Sequence, residues 1–193
     1  MGSNALAWTG SRVATRAVRP RRERALVRAA QRGDEAAVEA LFRLHWPTAY
    51  RAAWLIVRDA GAAEDIAQEA FLAALRALGR FDHTRPLGPW LRRIVANRAI
   101  DAARARTLRR EVGDAALDTL SAAPAAPVAQ PSDAVLAALA ALPDEQRVPV
   151  VLRHLLELTP GEIAGVLELP RGTVNSRLRR GLDALEAQLR DAR

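Results

Sequence analysis

Residues Thr159–Leu189 read TPGEIAGVLELPRGTVNSRLRRGLDALEAQL. Thr159 suits a helix N-cap, Pro160 the first helical position, and Glu162 completes a T-x-x-E capping box. Ile163, Ala164 and Leu167 give the short helix that follows one apolar stripe. The run ELPRG then breaks the chain, and a second, longer helix opens near Thr173. Its apolar stripe is Val174, Leu178, Leu182, Leu185 and Leu189, spaced by three or four residues throughout. Two helices joined by a tight break make a helix-turn-helix. On the second helix Ser176 and Arg180 point directly away from the stripe. Thr173, Arg177 and Arg179 flank them, and Arg171 is expected in the turn. An ordinary solvated face mixes charges of both signs, but here no acid appears until Asp183 and Glu186. A face of this kind suits a DNA major groove, with its first turns at base edges and its arginines on phosphates or guanines.

The rest of the chain agrees with a helical, polyanion-binding protein. Half of the 193 residues are hydrophobic, much of that alanine, and aromatics make up only 4%. Alanine is the strongest helix former and β-branched runs are few, so an all-α fold with small cores is expected. The 29 basic residues are all arginine and the net charge is +7, which favours nucleic acid or an anionic surface as partner. With no cysteine, disulfides and thiolate metal sites are excluded. No apolar run approaches the ~20 residues of a membrane span. Residues 1–21 form a basic arm without the apolar block of a secretory signal; they are expected to be disordered, and the protein to stay in the cytoplasm.

Helical periodicity begins near Arg22 and continues, with short breaks, to about Arg106. Asp34 caps a helix running towards Val57, a third covers roughly Ala62–Leu78, and a fourth runs from about Pro89 to Arg106. Between the last two lies the loop GRFDHTRPLGP, with two glycines and two prolines. The Ala/Pro-rich stretch LDTLSAAPAAPVAQPSD, Leu117–Asp133, has no apolar face and reads as a flexible linker. Helical pattern then resumes to the end, with a kink expected at Pro149. The organisation expected is therefore two small helical domains, 22–110 and 133–193, joined by a linker over 111–132.

The N-terminal module carries two surfaces that a simple DNA-binding regulator would not need. In AAEDIAQEAFLAALRAL, the residues Ile66, Ala67, Ala70, Phe71, Ala74 and Leu78 form the buried face. The opposite stripe, Asp65, Gln68, Glu69, Leu72 and Arg76, is acidic with one large apolar residue, which suits a protein partner with a basic surface as well as it suits plain solvent. From Arg85 to Arg110 there are eight arginines against one acid, Asp101. Leu91, Ile94, Val95 and Ala102 make the core stripe there, and Trp90, Arg93, Asn97 and Arg104 project to one side. An aromatic ring, an amide and arginines are what an unstacked single-stranded base requires. Trp90 reads more readily as a packing residue, whereas Phe81 and Asn97 favour a binding role.

Three segments, AEDIAQEAFLAAL, WLRRIVANRAIDAARAR and LPDEQRVPVVLR with LTPGEIAGVLELPRGTVNSRLRRGLDAL, occur in this order with a linker before the last. In this the chain resembles the extracytoplasmic-function (ECF) sigma factors, the small two-domain class of bacterial RNA polymerase specificity subunits. The resemblance implies that Asp65, Gln68, Glu69 and Leu72 dock on the coiled coil of the polymerase β′ clamp, within a core enzyme that also offers its β subunit. It implies that the loop from Phe81 and the helix carrying Trp90, Arg93, Asn97 and Arg104 read the −10 element of promoter DNA. Phe81 and Asn97 stand where the family holds a flipped base. Arg171, Thr173, Asn175, Ser176, Arg177, Arg179 and Arg180 would meet the −35 duplex, and Asn175 departs from the basic residue often found there. An anti-sigma protein is implied as a further partner. The linker permits this: about 25 residues, from Thr107 to Pro131, extend to ~80 Å, and two duplex turns span ~70 Å.

The rival readings are weaker. A helix-turn-helix repressor or activator accounts for the C-terminal pattern but gives no reason for the Leu72 face or the Phe81–Asn97 segment. An enzyme is not expected: His45, His83 and His154 are scattered, and neither a phosphate loop nor a nucleophile elbow is present. No cofactor and no metal are expected.

Overall fold

The computed structural model describes residues 20–111 and 133–191. Among them are eight α-helices and no strand: α1 Pro20–Gln31, α2 Glu35–Val57, α3 Ala60–Leu78, α4 Leu87–Glu111, α5 Asp133–Ala141, α6 Asp144–His154, α7 Pro160–Leu167 and α8 Arg171–Asp191. Most of the arm expected at the N-terminus, residues 1–19, lies outside the described residues, but Pro20 and Arg21 open α1. The linker expected over 111–132 likewise lies outside them, apart from Glu111. Because α4 runs on to Glu111, residues 112–132 reach only ~70 Å when fully extended, less than the sequence pattern suggests.

Short side chains set the packing of α1–α4. Ala63, Ala67 and Ala70 of α3 and Ala52 and Ala53 of α2 are wholly buried, so these helices approach closely. Larger residues, Ile66 and Phe71, fill the remaining space, each contributing ~1.5–3 kcal/mol on full burial. Every residue of the predicted α3 face is buried. On α4 the buried side differs from the pattern: Leu91, Val95, Ala96, Ala99 and Ile100 face inward, while Ile94 and Ala102 are half-buried. The helix starts at Leu87, so that Pro89 falls in the first turn, where its missing N–H costs nothing.

Asp34 and Asp59 cap α2 and α3 by accepting from the amides of Ala37 at 3.1 Å and Ala62 at 2.8 Å. The far end of α2 is closed by arginines. Arg58, in the left-handed conformation, donates its amide to the Trp54 carbonyl and lays its guanidinium 4.1 Å from the centre of the Trp54 ring. Arg106 Nη1 donates to the Val57 carbonyl at 2.8 Å, and Arg147 Nε to the Leu55 carbonyl at 2.7 Å. These carbonyls have no partner within the helix, and a cation at a helix C-terminus also meets the negative end of its dipole.

Arg147 belongs to α6, so the last contact joins the two halves of the chain. One apolar cluster runs through both, including Leu55, Ile56, Ala99 and Ile100 on one side and Leu142, Val150, Leu152 and Ile163 on the other. Helix α6 runs unbroken through Pro149, whose ring is fully buried. The bond it forgoes belongs to the Glu145 carbonyl in the first turn of the helix, where the disruption is least. The real break comes earlier, at Leu142–Pro143.

In the helix-turn-helix, Thr159 caps α7 with both halves of the capping box present and Pro160 in the first turn. Helix α8 begins at Arg171 rather than Thr173, so Arg171 is helical and not in the turn. Val174, Leu178 and Leu185 are buried and Leu189 packs alongside, but Leu182 is 40% exposed. Gly181 takes its place. A Cβ there would lie 2.8 Å from Val150 Cγ2 and 3.2 Å from the Gln146 carbonyl, so α6 crosses α8 directly over the glycine.

Candidate functional site

Three surfaces carry the sequence-predicted residues. The first lies on α3: Asp65, Gln68, Glu69 and Leu72 are all exposed, Leu72 by 50%. Gln68 Nε2 donates to Glu64, and Glu69 accepts from Arg98 Nη1 of α4 at 2.7 Å. Arg98 is thus half-buried as an ion-pair partner and not part of the core stripe. Leu75 and Phe42 adjoin the same region and are also exposed, at 40% and 37%. Both line one apolar groove formed by α2, α3 and the start of α4, with Phe42 stacked 4.8 Å from Trp46. Sequence reading missed these two. Leu75 lies three residues beyond Leu72 and was there to be found; Phe42 sits in a helix whose apolar residues are too numerous to show which one is left outside.

The second surface is the start of α4 with the loop before it. Gln31 Nε2 of α1 donates to the carbonyls of Leu78 at 3.0 Å and Phe81 at 2.7 Å, fixing the loop where it leaves α3. Asp82 accepts from both the amide and the hydroxyl of Thr84, which holds its carboxyl below its ordinary pKa and closes an Asx turn. Phe81 and Trp90 pack on each other with ring centres 4.7 Å apart, both half-buried. Arg93, Asn97 and Arg104 follow along one exposed face of α4. Behind the loop, Glu23 meets His45 Nε2 at 3.0 Å; that hydrogen bond is the main reason its carboxyl is held below its ordinary value.

The third surface is α8. Arg171, Asn175, Arg179 and Arg180 are exposed, and Thr173, Ser176 and Arg177 half-buried. Arg180 donates to Ser176 Oγ at 3.3 Å, and Arg177 lies 3.7 Å from Glu145 of α6. Among the described residues no set of three or more His, Cys, Asp or Glu side chains is grouped to hold a metal ion, and no helix is long and apolar enough to cross a membrane.

These surfaces fall within two regions that match known families. Sigma-70 region 2 matches residues 41–109, and Sigma-70 region 4 matches residues 132–185. The ECF RNA polymerase sigma factor SigW of Bacillus subtilis is 33% identical over 178 residues, covering 86% of this chain and 95% of its own. SigM of Mycobacterium tuberculosis is 34% identical, covering 77% and 74%. The chain belongs to the ECF RNA polymerase sigma factors.

Among solved structures, this sigma factor resembles CnrH in complex with the cytosolic domain of CnrY, with TM-score 0.56, 28% identity, and 88% and 97% of the two chains covered. It shares its fold with the sigma factor RpoE of Bartonella quintana in complex with the anti-sigma factor NepR, at TM-score 0.58 and 23% identity, over 80% and 98% of the two chains. The sigma factor's three surfaces are not equally free. Arg93 and Arg104 on α4 are each paired with an acid of the C-terminal half, Glu162 and Glu168, whereas the arginines of α8 meet no acid of the N-terminal half among the ion pairs found in the described residues.

Proposed function

We propose that this sigma factor assigns its three surfaces to three steps of transcription initiation. The α3 face, Asp65, Gln68, Glu69 and Leu72, extended by Leu75 and Phe42, docks on the β′ clamp coiled coil of core RNA polymerase. An apolar strip rimmed by carboxylates fits a basic helical partner. The face of α4, with Phe81, Trp90, Arg93, Asn97 and Arg104, takes the opened −10 strand, and α8 lies in the major groove of the −35 duplex through Arg171, Thr173, Asn175, Ser176, Arg177, Arg179 and Arg180. The domains that do this are 22–110 and 133–193.

The observation that carries the reading is an exposed amide, Asn97, placed one turn beyond Arg93 on a face that begins beside the Phe81–Trp90 pair. Capturing an unstacked base offsets the few kcal/mol needed to remove it from the stack. The chain therefore traps an opening that already fluctuates, without nucleotide hydrolysis, and the polymerase supplies all covalent chemistry. In this reading the protein is not itself an enzyme and works in the cytoplasm, and its activity is held in check by an anti-sigma protein, the kind of partner seen with RpoE. The test is Asn97→Ala in a permanganate footprint of the holoenzyme on promoter DNA. Reduced thymine reactivity at −10 with duplex binding retained is expected; unchanged opening removes Asn97 from the mechanism.

A further inference from the structure

Two elements that should lie on separate stretches of DNA are tied together by ion pairs, over and above the apolar cluster shared by the two halves. Arg92 pairs with Glu157 at 2.6 Å, Arg93 with Glu162, and Arg104 with Glu168 at 3.0 Å. Arg104 Nη2 also donates to the Val166 carbonyl at 3.3 Å. The acids come from the loop before α7, its first turn and its C-cap, so both ends of one short helix are fastened along α4. We propose that this acidic edge of the helix-turn-helix stands in for DNA phosphates: Glu157, Glu162 and Glu168 occupy the arginines of α4 and withhold them from the −10 strand until the two halves separate. The inference rests on the reading of α4 as the −10 element's binding face.

Local structure fixes where these acids sit. Glu157 and Glu168 are two of only three non-glycine residues with positive φ among the described residues, both at 56°. That conformation is uncommon for a side chain of this kind and needs surrounding contacts to hold it. Glu162 is fixed by the capping box, accepting from the Thr159 amide at 2.8 Å. The masking is one-sided. Arg177 pairs within its own half, and Arg171, Arg179 and Arg180 stay exposed, so the closed chain keeps its duplex-reading face while its single-strand face is occupied. The latch is also reversible. The side chains of Glu157 and Glu168 are 68% and 75% exposed, so each pair is weak and screened by salt. A DNA strand, with a phosphate on every nucleotide, competes for the same guanidinium groups.

The test uses the full chain carrying Glu157→Gln, Glu162→Gln and Glu168→Gln together. Glutamine at position 162 can keep the capping box, and circular dichroism checks the helices. Dyes on Ala77→Cys and Ala187→Cys, both exposed in a chain without cysteine, report separation by energy transfer. Fluorescence anisotropy reports binding of a short labelled single strand and, separately, a labelled duplex. Three exposed pairs together shift the closed–open balance by about tenfold. The triple variant should therefore transfer less energy and bind the single strand ~10-fold tighter, with a much smaller gain for the duplex. Unchanged energy transfer overturns the latch. Equal gains for single strand and duplex overturn the masking, since loss of negative charge alone explains them. Adding Arg93→Ala and Arg104→Ala to the opened variant tests the underlying reading separately: undiminished single-strand binding refutes α4 as the −10 face, whatever the energy transfer shows.

Discussion

Arg147 offers the sharpest test of how the two halves are joined. Its side chain is 5% exposed and donates to the carbonyls of Leu55 at 2.7 Å and Leu142 at 2.8 Å, and to Asp144 at 2.7 Å. Arg147→Met keeps most of the apolar stem of the side chain and removes the guanidinium with these donors. Asp144 is 83% exposed and returns to water at little cost. The two carbonyls matter more, because each loses a bond to a charged donor worth ~1.5–3 kcal/mol. Taking the lower value for both gives about 3 kcal/mol, which at this chain length lowers Tm by roughly 6–12 °C. The Leu55 carbonyl can recover its partner from water only if α6 moves off the end of α2. The variant should therefore melt in two steps, the halves having come apart, where the parent melts in one. Circular dichroism melts with the dye-labelled chain read both quantities. A single transition within about 1 kcal/mol of the parent would show that Arg147 does not join the halves.

Further outcomes follow from the same contacts. Gly181→Ala places a methyl group 2.8 Å from Val150 and against the Gln146 carbonyl, and a backbone carbonyl cannot retreat as a side chain can. A loss of ~1–3 kcal/mol in urea melts is expected, together with weaker duplex binding. Glu23 and Glu162 are both held below their ordinary pKa, by the His45 hydrogen bond and by the Thr159 amide respectively. The unfolded chain protonates these groups first as pH falls. Their contribution is thus complete above the ordinary carboxylate value of about 4.3 and is lost as pH falls through their lower folded values. Urea melts between about pH 6 and pH 3 should show that decline, and it should be shallower in Glu23→Gln. Leu72→Arg should leave the melt unchanged, because the side chain is half-exposed, yet weaken capture by core polymerase at least ~10-fold by setting a cation against a basic partner. Arg180→Ala should weaken duplex binding and reduce its salt dependence by about one counterion, measured by anisotropy across a salt series.

Much of this was legible in the sequence, and the failures share a cause. The buried face of α3 could be read outright, because alanines and large apolar residues alternate there with charged ones at helical spacing. The α7 cap was equally plain, since a capping box is a local event. On α8 the pattern selected Leu182, the more apolar residue, and passed over Gly181. Only the path of α6 decides that the residue without a side chain faces inward. Arg147 sits in DEQRVPVV among residues that look solvated, and nothing local shows that its donors close a helix end 92 residues away. The acids of the latch are hidden for the same reason: by sequence Glu162 is half of a cap, Glu168 opens the break after α7, and Glu157 falls within a continuing helical pattern. Sequence spacing describes faces within a helix, whereas these residues take their roles from a partner across the fold.

The central claim is that this chain gives core RNA polymerase its promoter address. It is tested most directly by run-off transcription with purified core polymerase on a genomic fragment library, with and without the protein. The account predicts discrete transcripts that appear only when the protein is added, disappear with Leu72→Arg, and start downstream of a shared pair of −10 and −35 elements. Specific duplex binding by α8 with no such transcripts and no association with core polymerase would contradict it.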